Sequence, residues 1–139
     1  MFKRFALIFA LIFMAGPALA DTVSVVVDLS EQRMYVAVDG ITAYSWPVST
    51  AGRGYITPKG GWKPTRMHAR YFSRKYNNAP MPYSIFFYKG YAIHGTTAVK
   101  RLGQPASHGC VRLHPDNAKV LFEIVKQFGA ERTEIAIRS

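Results

Sequence analysis

The chain of 139 residues carries 18 Lys plus Arg against 8 Asp plus Glu, a formal net charge of +10, with 49% apolar and 14% aromatic residues. That balance excludes a disordered tail, a collagen-like repeat and a multidomain assembly, and it leaves one basic domain able to bury a core. A single cysteine excludes a disulfide framework and a multi-cysteine zinc finger.

Residues 1–20 start with Lys3 and Arg4, run almost wholly apolar from Phe5 to Ala15, and close on Gly16, Pro17 and the triplet Ala18-Leu19-Ala20. A charged start, a short apolar stretch and an A-x-A site form the pattern of a secretory signal peptide. The stretch falls short of the ~20 residues a membrane span needs. No span is therefore expected after cleavage, and an uncleaved N-terminal anchor is the alternative. No cysteine lies near the cleavage point, which excludes a lipoprotein anchor. The reading is an exported protein of the periplasm or cell envelope, with residues 21–139 as one domain. A domain of that size buries roughly 65% of its unfolded surface, enough for a core without staples.

Along the chain, Val23 to Asp28 is a β-branched run, and Arg33 to Val38 resumes the pattern before the turn pair Asp39-Gly40. Residues 41–48 supply a third strand, so 34–48 reads as a hairpin. Residues 49–61 are turn-rich through Gly52, Gly54, Pro58, Gly60 and Gly61. Residues 62–74 read as one further strand, and 77–82 as a loop because Pro80 and Pro82 interrupt any ladder. Residues 84–88 and 91–94 make a second hairpin across Lys89-Gly90. One helix is signalled by His114, Pro115 at a first-turn position, Asp116 behind it, and Gly129 at the close. On it Val120, Leu121, Ile124, Val125 and Phe128 share a face. A last alternating strand, 133–138, is expected to bury Ile135 and Ile137. There is no internal repeat or linker. The fold class is mainly β, one domain with a single amphipathic helix near the C-terminus.

Charge is unevenly placed. Between Asp39 and Asp116 there is no acidic residue, while the same window holds Arg53, Lys59, Lys63, Arg66, Arg70, Arg74, Lys75, Lys89, Lys100, Arg101 and Arg112. Such a field attracts anions. Nucleic acid would suit a cytosolic protein, but for an exported one an acidic wall polymer or a carboxylate-rich substrate fits better. A merely solubilising basic surface is the plainer alternative.

The chemistry-bearing residues concentrate between His94 and Arg112. Cys110 sits in Ser107-His108-Gly109-Cys110-Val111-Arg112, a polar, glycine-containing turn rather than the apolar run typical of a buried structural thiol. An unshifted thiol is only a few per cent thiolate at pH 7, so a nucleophile needs a base or a positive neighbour. His94 and His108 are both candidates for that base, and Arg112 with the surrounding positive field is expected to favour the thiolate. Each ring also has a structural reading, His94 as a satisfied strand-end histidine and His108 as a brace of the turn. His114 reads as a helix-start residue, and His68, between Arg66 and Arg70, as a surface position. His108, Cys110 and His114 do not have recognised zinc spacing, so no metal is expected.

The run Ser107 to Arg112, with His94-Gly95 sixteen positions before the cysteine, resembles the active-site signature of the L,D-transpeptidase catalytic domain. The likeness extends to residues 27–36, to Pro47-Val48-Ser49-Thr50, to Thr57-Pro58-Lys59-Gly60 and to Met81-Pro82-Tyr83, in the family's order. It thus covers nearly all of residues 21–139. It implies a mainly-β, sandwich-like fold and a cysteine acyl transfer on peptidoglycan stem peptides, with no cofactor. Carried over residue by residue, Cys110 is the nucleophile, His94 its general base, and the Gly95 carbonyl orients His94, the role of a third group in triads. His108 and Gly109 shape the nucleophile turn, whose backbone N–H groups hold the oxyanion. Arg112, standing where many relatives carry Asn, binds a substrate carboxylate through its guanidinium fork. Tyr83 and Ser107 line the substrate cleft.

The implied reaction has two steps. The thiolate attacks the carbonyl that precedes the terminal D-Ala of a tetrapeptide stem, and an amine then takes the acyl group from the thioester. A second stem as acceptor gives a 3–3 cross-link. Water would make the protein an L,D-carboxypeptidase, and a lipoprotein lysine would make it a lipoprotein–peptidoglycan linking or cleaving enzyme. A cysteine peptidase with histidine well downstream is disfavoured, since only His114 follows Cys110, too near in sequence. A non-catalytic wall-binding module would have no need of Cys110, His94 and Gly109 together. The acceptor and the oligomeric state are not legible.

Overall fold

A computed structural model describes residues 21–139, together with the isolated Ile12. The signal peptide expected over residues 1–20 lies outside the described residues. Among those described, no helix is long and apolar enough to cross a membrane.

Eleven strands and one α-helix make up the domain, mainly β as expected. The order is β1 (Val23–Asp28), β2 (Arg33–Val38), β3 (Ile41–Pro47), β4 (Gly60–Trp62), β5 (Arg66–His68), β6 (Phe72–Ser73), β7 (Ala79–Pro80), β8 (Ser84–Tyr88), β9 (Tyr91–Gly95), β10 (Val111–Leu113), α1 (Pro115–Phe128) and β11 (Thr133–Arg138). A five-stranded sheet runs β3-β2-β1-β11-β4, a four-stranded sheet runs β10-β9-β8-β5, and β6 and β7 pair alone. The expected hairpins form as β2–β3 and β8–β9. The last strand returns to pair in parallel with the first, Val25 opposite Ile135, so both chain ends of the domain sit in one sheet.

The core fills the space between the two sheets and α1. Alternation along β1, β2 and β11 turns Val23, Val25, Val27, Met34, Val36, Ile135 and Ile137 inward, and the second sheet answers with Ile85, Phe87, Ile93, Val111 and Leu113. Helix α1 contributes Ala118, Leu121, Phe122 and Val125. His114 caps it, its Nδ1 accepting from the Asp116 N–H at 3.1 Å, and Gly129 ends it at φ +96°.

Two expectations fail for identifiable reasons. Residues 62–74 do not form one strand. Pro64 breaks the ladder, Trp62 pairs with Ile135 in the first sheet, and Arg66–His68 pairs with β8 in the second. The chain therefore crosses between sheets within three residues. Residues 77–82 are not wholly loop: Ala79 and Pro80 pair with Ser73 and Phe72. A two-residue edge ladder needs no N–H from the proline. The short strand Val111–Leu113 had no signal of its own, being three residues with an arginine at the centre. His68 is half-buried, its ring stacked 5.6 Å from Tyr71, rather than a free surface residue.

Candidate active site

The second sheet has one face in the core, and its register dictates what the other face carries. Strands β9 and β10 run parallel with Ile93 opposite Val111 and His94 opposite Arg112. Side chains opposite one another share a face, and every second residue alternates. Because Ile93, Val111 and Leu113 point into the core, His94 and Arg112 must point out of it, and Cys110, two residues before Arg112, follows. Beneath them Met81, Phe86 and Ala92 form a small second apolar cluster against which Cys110 and Tyr71 pack. The β6–β7 hairpin rises beside this face, and between them lies a cavity of about 610 Å³. His94, Thr96, Ser107, His108, Cys110 and Arg112 line one side of it, and Lys75, Tyr76 and Asn77 come from the hairpin.

The turn that presents Cys110 is held from behind. Gly109 sits at φ +133°, and a Cβ there would lie 2.7 Å from Tyr91 Cε1 and 2.8 Å from the Ile56 carbonyl oxygen. Only glycine fits. Its N–H donates to Ser107 Oγ at 3.0 Å, and the Ser107 hydroxyl donates in turn to the Cys110 carbonyl at 2.6 Å. The Gly109 carbonyl accepts from the Thr57 hydroxyl at 2.8 Å, and Thr57 Oγ1 accepts from the Ala51 N–H at 3.0 Å. The segment before Thr57 is anchored by Gln32, whose amide accepts from the Thr50 N–H at 2.9 Å and donates to Thr50 Oγ1 at 2.6 Å. Ser49 and Arg112 exchange main-chain bonds of 3.0 and 2.8 Å, which zip this segment to β10.

His94 is 6% exposed, and its Nδ1 lies 2.7 Å from the Gly95 carbonyl oxygen. A carbonyl only accepts, so Nδ1 carries the proton and Nε2 keeps its lone pair. Gly95 leaves little room for a side chain. Its N–H donates to the Pro82 carbonyl at 2.8 Å, and a Cβ would meet Pro82 Cγ at 3.1 Å and Pro115 Cα at 3.2 Å. Burial pushes the His94 pKa down from 6.5 to about 4; the bond to Gly95 opposes this, and the Arg112 guanidinium adds to it. The ring is neutral at neutral pH.

Cys110 departs from the sequence expectation. Burial holds its thiol above the ordinary 9.0 and outweighs the nearby Ala92 backbone, Arg112 and Lys75, all of which favour the thiolate. The positive field is real, and desolvation is larger. The cavity at rest thus carries a neutral thiol and a neutral imidazole.

The remaining expected residues divide. Arg112 faces the cavity, half-buried, its Nη1 donating to the Ala106 carbonyl at 3.4 Å, and no carboxylate lies within salt-bridge distance of it among the described residues. His108 is exposed at the rim with its ring between two tyrosines, 4.6 Å from Tyr55 and 4.3 Å from Tyr76. Ser107 is 1% exposed and its hydroxyl is committed to the turn on both sides, so it braces the loop rather than offering a group to a ligand. Tyr83 is not in the cleft. Its φ of +55° swings the ring away to pack edge-on against Phe122 of α1 at 5.6 Å. The Gly109 N–H, engaged by Ser107, is likewise no free donor. The N–H of Cys110 donates to nothing among the described residues. Sequence reading missed Tyr76 and Thr57; Thr57 lay in a stretch the resemblance already marked, and Tyr76 had no local signal. Among the described residues no three His, Cys, Asp or Glu side chains gather as metal ligands.

A mainly-β domain that lays a cysteine, a carbonyl-oriented histidine and an arginine on one sheet face defines a class, and comparison with known proteins identifies it. Residues 22–137 match the model of the L,D-transpeptidase catalytic domain, the YkuD family, and the chain belongs to that family. It is 34% identical to the probable L,D-transpeptidase YbiS of Escherichia coli, with 77% of this chain and 44% of that protein covered. It is 31% identical to the probable L,D-transpeptidase ErfK/SrfK of Salmonella typhimurium, with 77% and 43% covered. The chain thus spans less than half the length of these curated relatives. Among solved structures, an L,D-transpeptidase from Stackebrandtia nassauensis aligns with a TM-score of 0.72 at 31% identity, over 84% of this chain and 55% of that one. The L,D-transpeptidase LdtMt1 in complex with imipenem shares the fold with a TM-score of 0.75 at 21% identity, over 84% and 59%.

Proposed function

We propose that this chain is an exported peptidoglycan L,D-transpeptidase in which Cys110 is the nucleophile and His94 the general base. The observation that carries the reading is the shared cavity face of β9 and β10. On it the cavity is lined by both the cysteine and a histidine whose Nδ1–H is fixed on the Gly95 carbonyl, with Nε2 left to accept a proton. As the sulfur attacks the carbonyl carbon preceding the terminal D-Ala of a tetrapeptide stem, its proton passes to His94 Nε2. The tetrahedral intermediate collapses, the C–N bond breaks, and the proton leaves on the departing D-Ala amine. An acceptor amine then attacks the thioester, gives its proton to His94, and the sulfur departs and recovers it. Arg112, with no acidic partner among the described residues, receives a carboxylate of the substrate. No cofactor takes part. Residues 1–20 direct export, after which residues 21–139 act in the periplasm or cell envelope.

The test is incubation with a defined tetrapeptide-bearing wall fragment, followed by mass spectrometry. Release of D-Ala with a thioester adduct on Cys110, absent in Cys110→Ala, supports the reading. D-Ala release that survives in Cys110→Ala refutes it. The product identifies the acceptor: a cross-linked dimer for a second stem, a free tripeptide for water.

A further inference from the structure

We propose that Thr57 is a positioning residue for oxyanion stabilisation, turning the Gly109–Cys110 peptide so that the Cys110 N–H faces the attacked carbonyl. The inference rests on Cys110 being the nucleophile and concerns a residue on the far side of the turn from it. Thr57 is 5% exposed, and its hydroxyl is fixed at both ends. By accepting from the Ala51 N–H, Oγ1 is left with one proton, which it donates to the Gly109 carbonyl at 2.8 Å. In a trans peptide the C=O and the following N–H point in opposite directions. Pinning the Gly109 carbonyl therefore aims the Cys110 N–H the other way.

Which way that is follows from the two depressions flanking the turn. Ala51, Ile56 and Thr57 line a shallow one behind it, whereas His108 and Cys110 line the large cavity in front. A carbonyl held toward the first sends the N–H toward the second. The neighbouring donor is not free, because the Gly109 N–H is bound by Ser107 Oγ, so the Cys110 amide is the group left to receive negative charge. Such a plane needs an external hold. At φ +133° Gly109 occupies a region that glycine enters without a side chain to fix it, and the adjoining Ile56 carbonyl leaves no room for a Cβ that would add one.

Two reactions of the same sulfur separate this role from a structural one. Acylation by imipenem develops an oxyanion on the β-lactam carbonyl; alkylation by iodoacetamide expels iodide and develops none. Rates of both are measured by mass spectrometry on wild type, Thr57→Val, Thr57→Ala and Thr57→Ser, with circular dichroism to establish folding. Thr57→Val is expected to slow acylation by about 10- to 100-fold, approaching the loss of one oxyanion donor. Alkylation should stay within about twofold, and Thr57→Ser should restore acylation. Thr57→Ala carries the same expectation and serves if the valine does not fold. Unchanged acylation in the folded variant overturns the proposal, and so does a parallel slowing of both reactions, which marks a merely structural residue. A wild-type protein that imipenem does not acylate at Cys110 overturns the nucleophile reading itself, and that result is visible before any Thr57 variant is compared.

Discussion

Lowering the pH tests the buried imidazole directly. His94 is held down from 6.5 to about 4 in the folded protein, by burial first and by Arg112 in addition. In the unfolded chain the ring titrates near 6.5, so between that pH and about 4 the unfolded state binds a proton that the folded state refuses. Stability from this group is complete above pH 6.5 and is lost as pH falls toward 4. At about 1.4 kcal/mol per pH unit, the interval from 6.5 to about 4 corresponds to about 3 kcal/mol. Carboxylates titrate over part of the same range, so the measurement is a difference. His94→Gln offers an amide to the Gly95 carbonyl but has nothing to protonate. Urea unfolding of both proteins from pH 7 to 4.5 should show wild type losing about 2–3 kcal/mol more than the variant. Parallel curves would refute the assigned burial. The same shift places the acid limb of kcat/KM near pH 4, and a limb near 6.5 would mean a solvated ring.

Three further outcomes are expected. Because burial holds the Cys110 thiol above 9.0, its rate of alkylation by iodoacetamide should keep rising above pH 9; a plateau near pH 7 would show a preformed thiolate. Gly109→Ala meets Tyr91 and the Ile56 carbonyl at 2.7 and 2.8 Å, whereas Gly103→Ala, at φ +91°, has open space. Urea denaturation should therefore show a loss of about 1 kcal/mol for Gly103→Ala and about 3 kcal/mol or more for Gly109→Ala, and equal losses would contradict the packing. The acid-free stretch between Asp39 and Asp116 predicts sedimentation with purified wall that weakens steeply as salt rises, and salt-independent sedimentation counts against it.

β-Branched runs and turn pairs are local signals, and they exposed β1, β2, β3, β8 and β9; alternation exposed β11, and 3.6-residue spacing with caps exposed α1. What escaped was set at a distance. The parallel return of β11 onto β1 and the crossing of the chain between sheets at Pro64 depend on tertiary packing. At the site, the motif around Cys110 and the His94-Gly95 pair stood out in the sequence, and the register brought them to one face. Tyr83 went astray because a positive φ reverses a side chain without leaving a mark on residue type. Ser107 lines the cavity as expected, and its hydroxyl also closes the turn. Thiol ionisation was misjudged for a related reason: eleven positive charges can be counted in a sequence, and the depth of one sulfur cannot.

That depth bears on how the pair works. Desolvation pushes the thiol up and the imidazole down, so it drives both groups to their neutral forms before substrate arrives. The dipoles around them favour the opposite arrangement. The Ala92 backbone and the charges of Arg112 and Lys75 stabilise a sulfur anion, and the Gly95 carbonyl stabilises an imidazolium. In the proposed proton transfer these contacts are in place before the proton moves and strengthen once it does, so they lower its barrier more than they stabilise the resting state. The arrangement has a second consequence. The thiolate is the form that oxidants attack, and a sulfur that stays protonated until a carbonyl is within reach is shielded for as long as the cavity is empty of substrate.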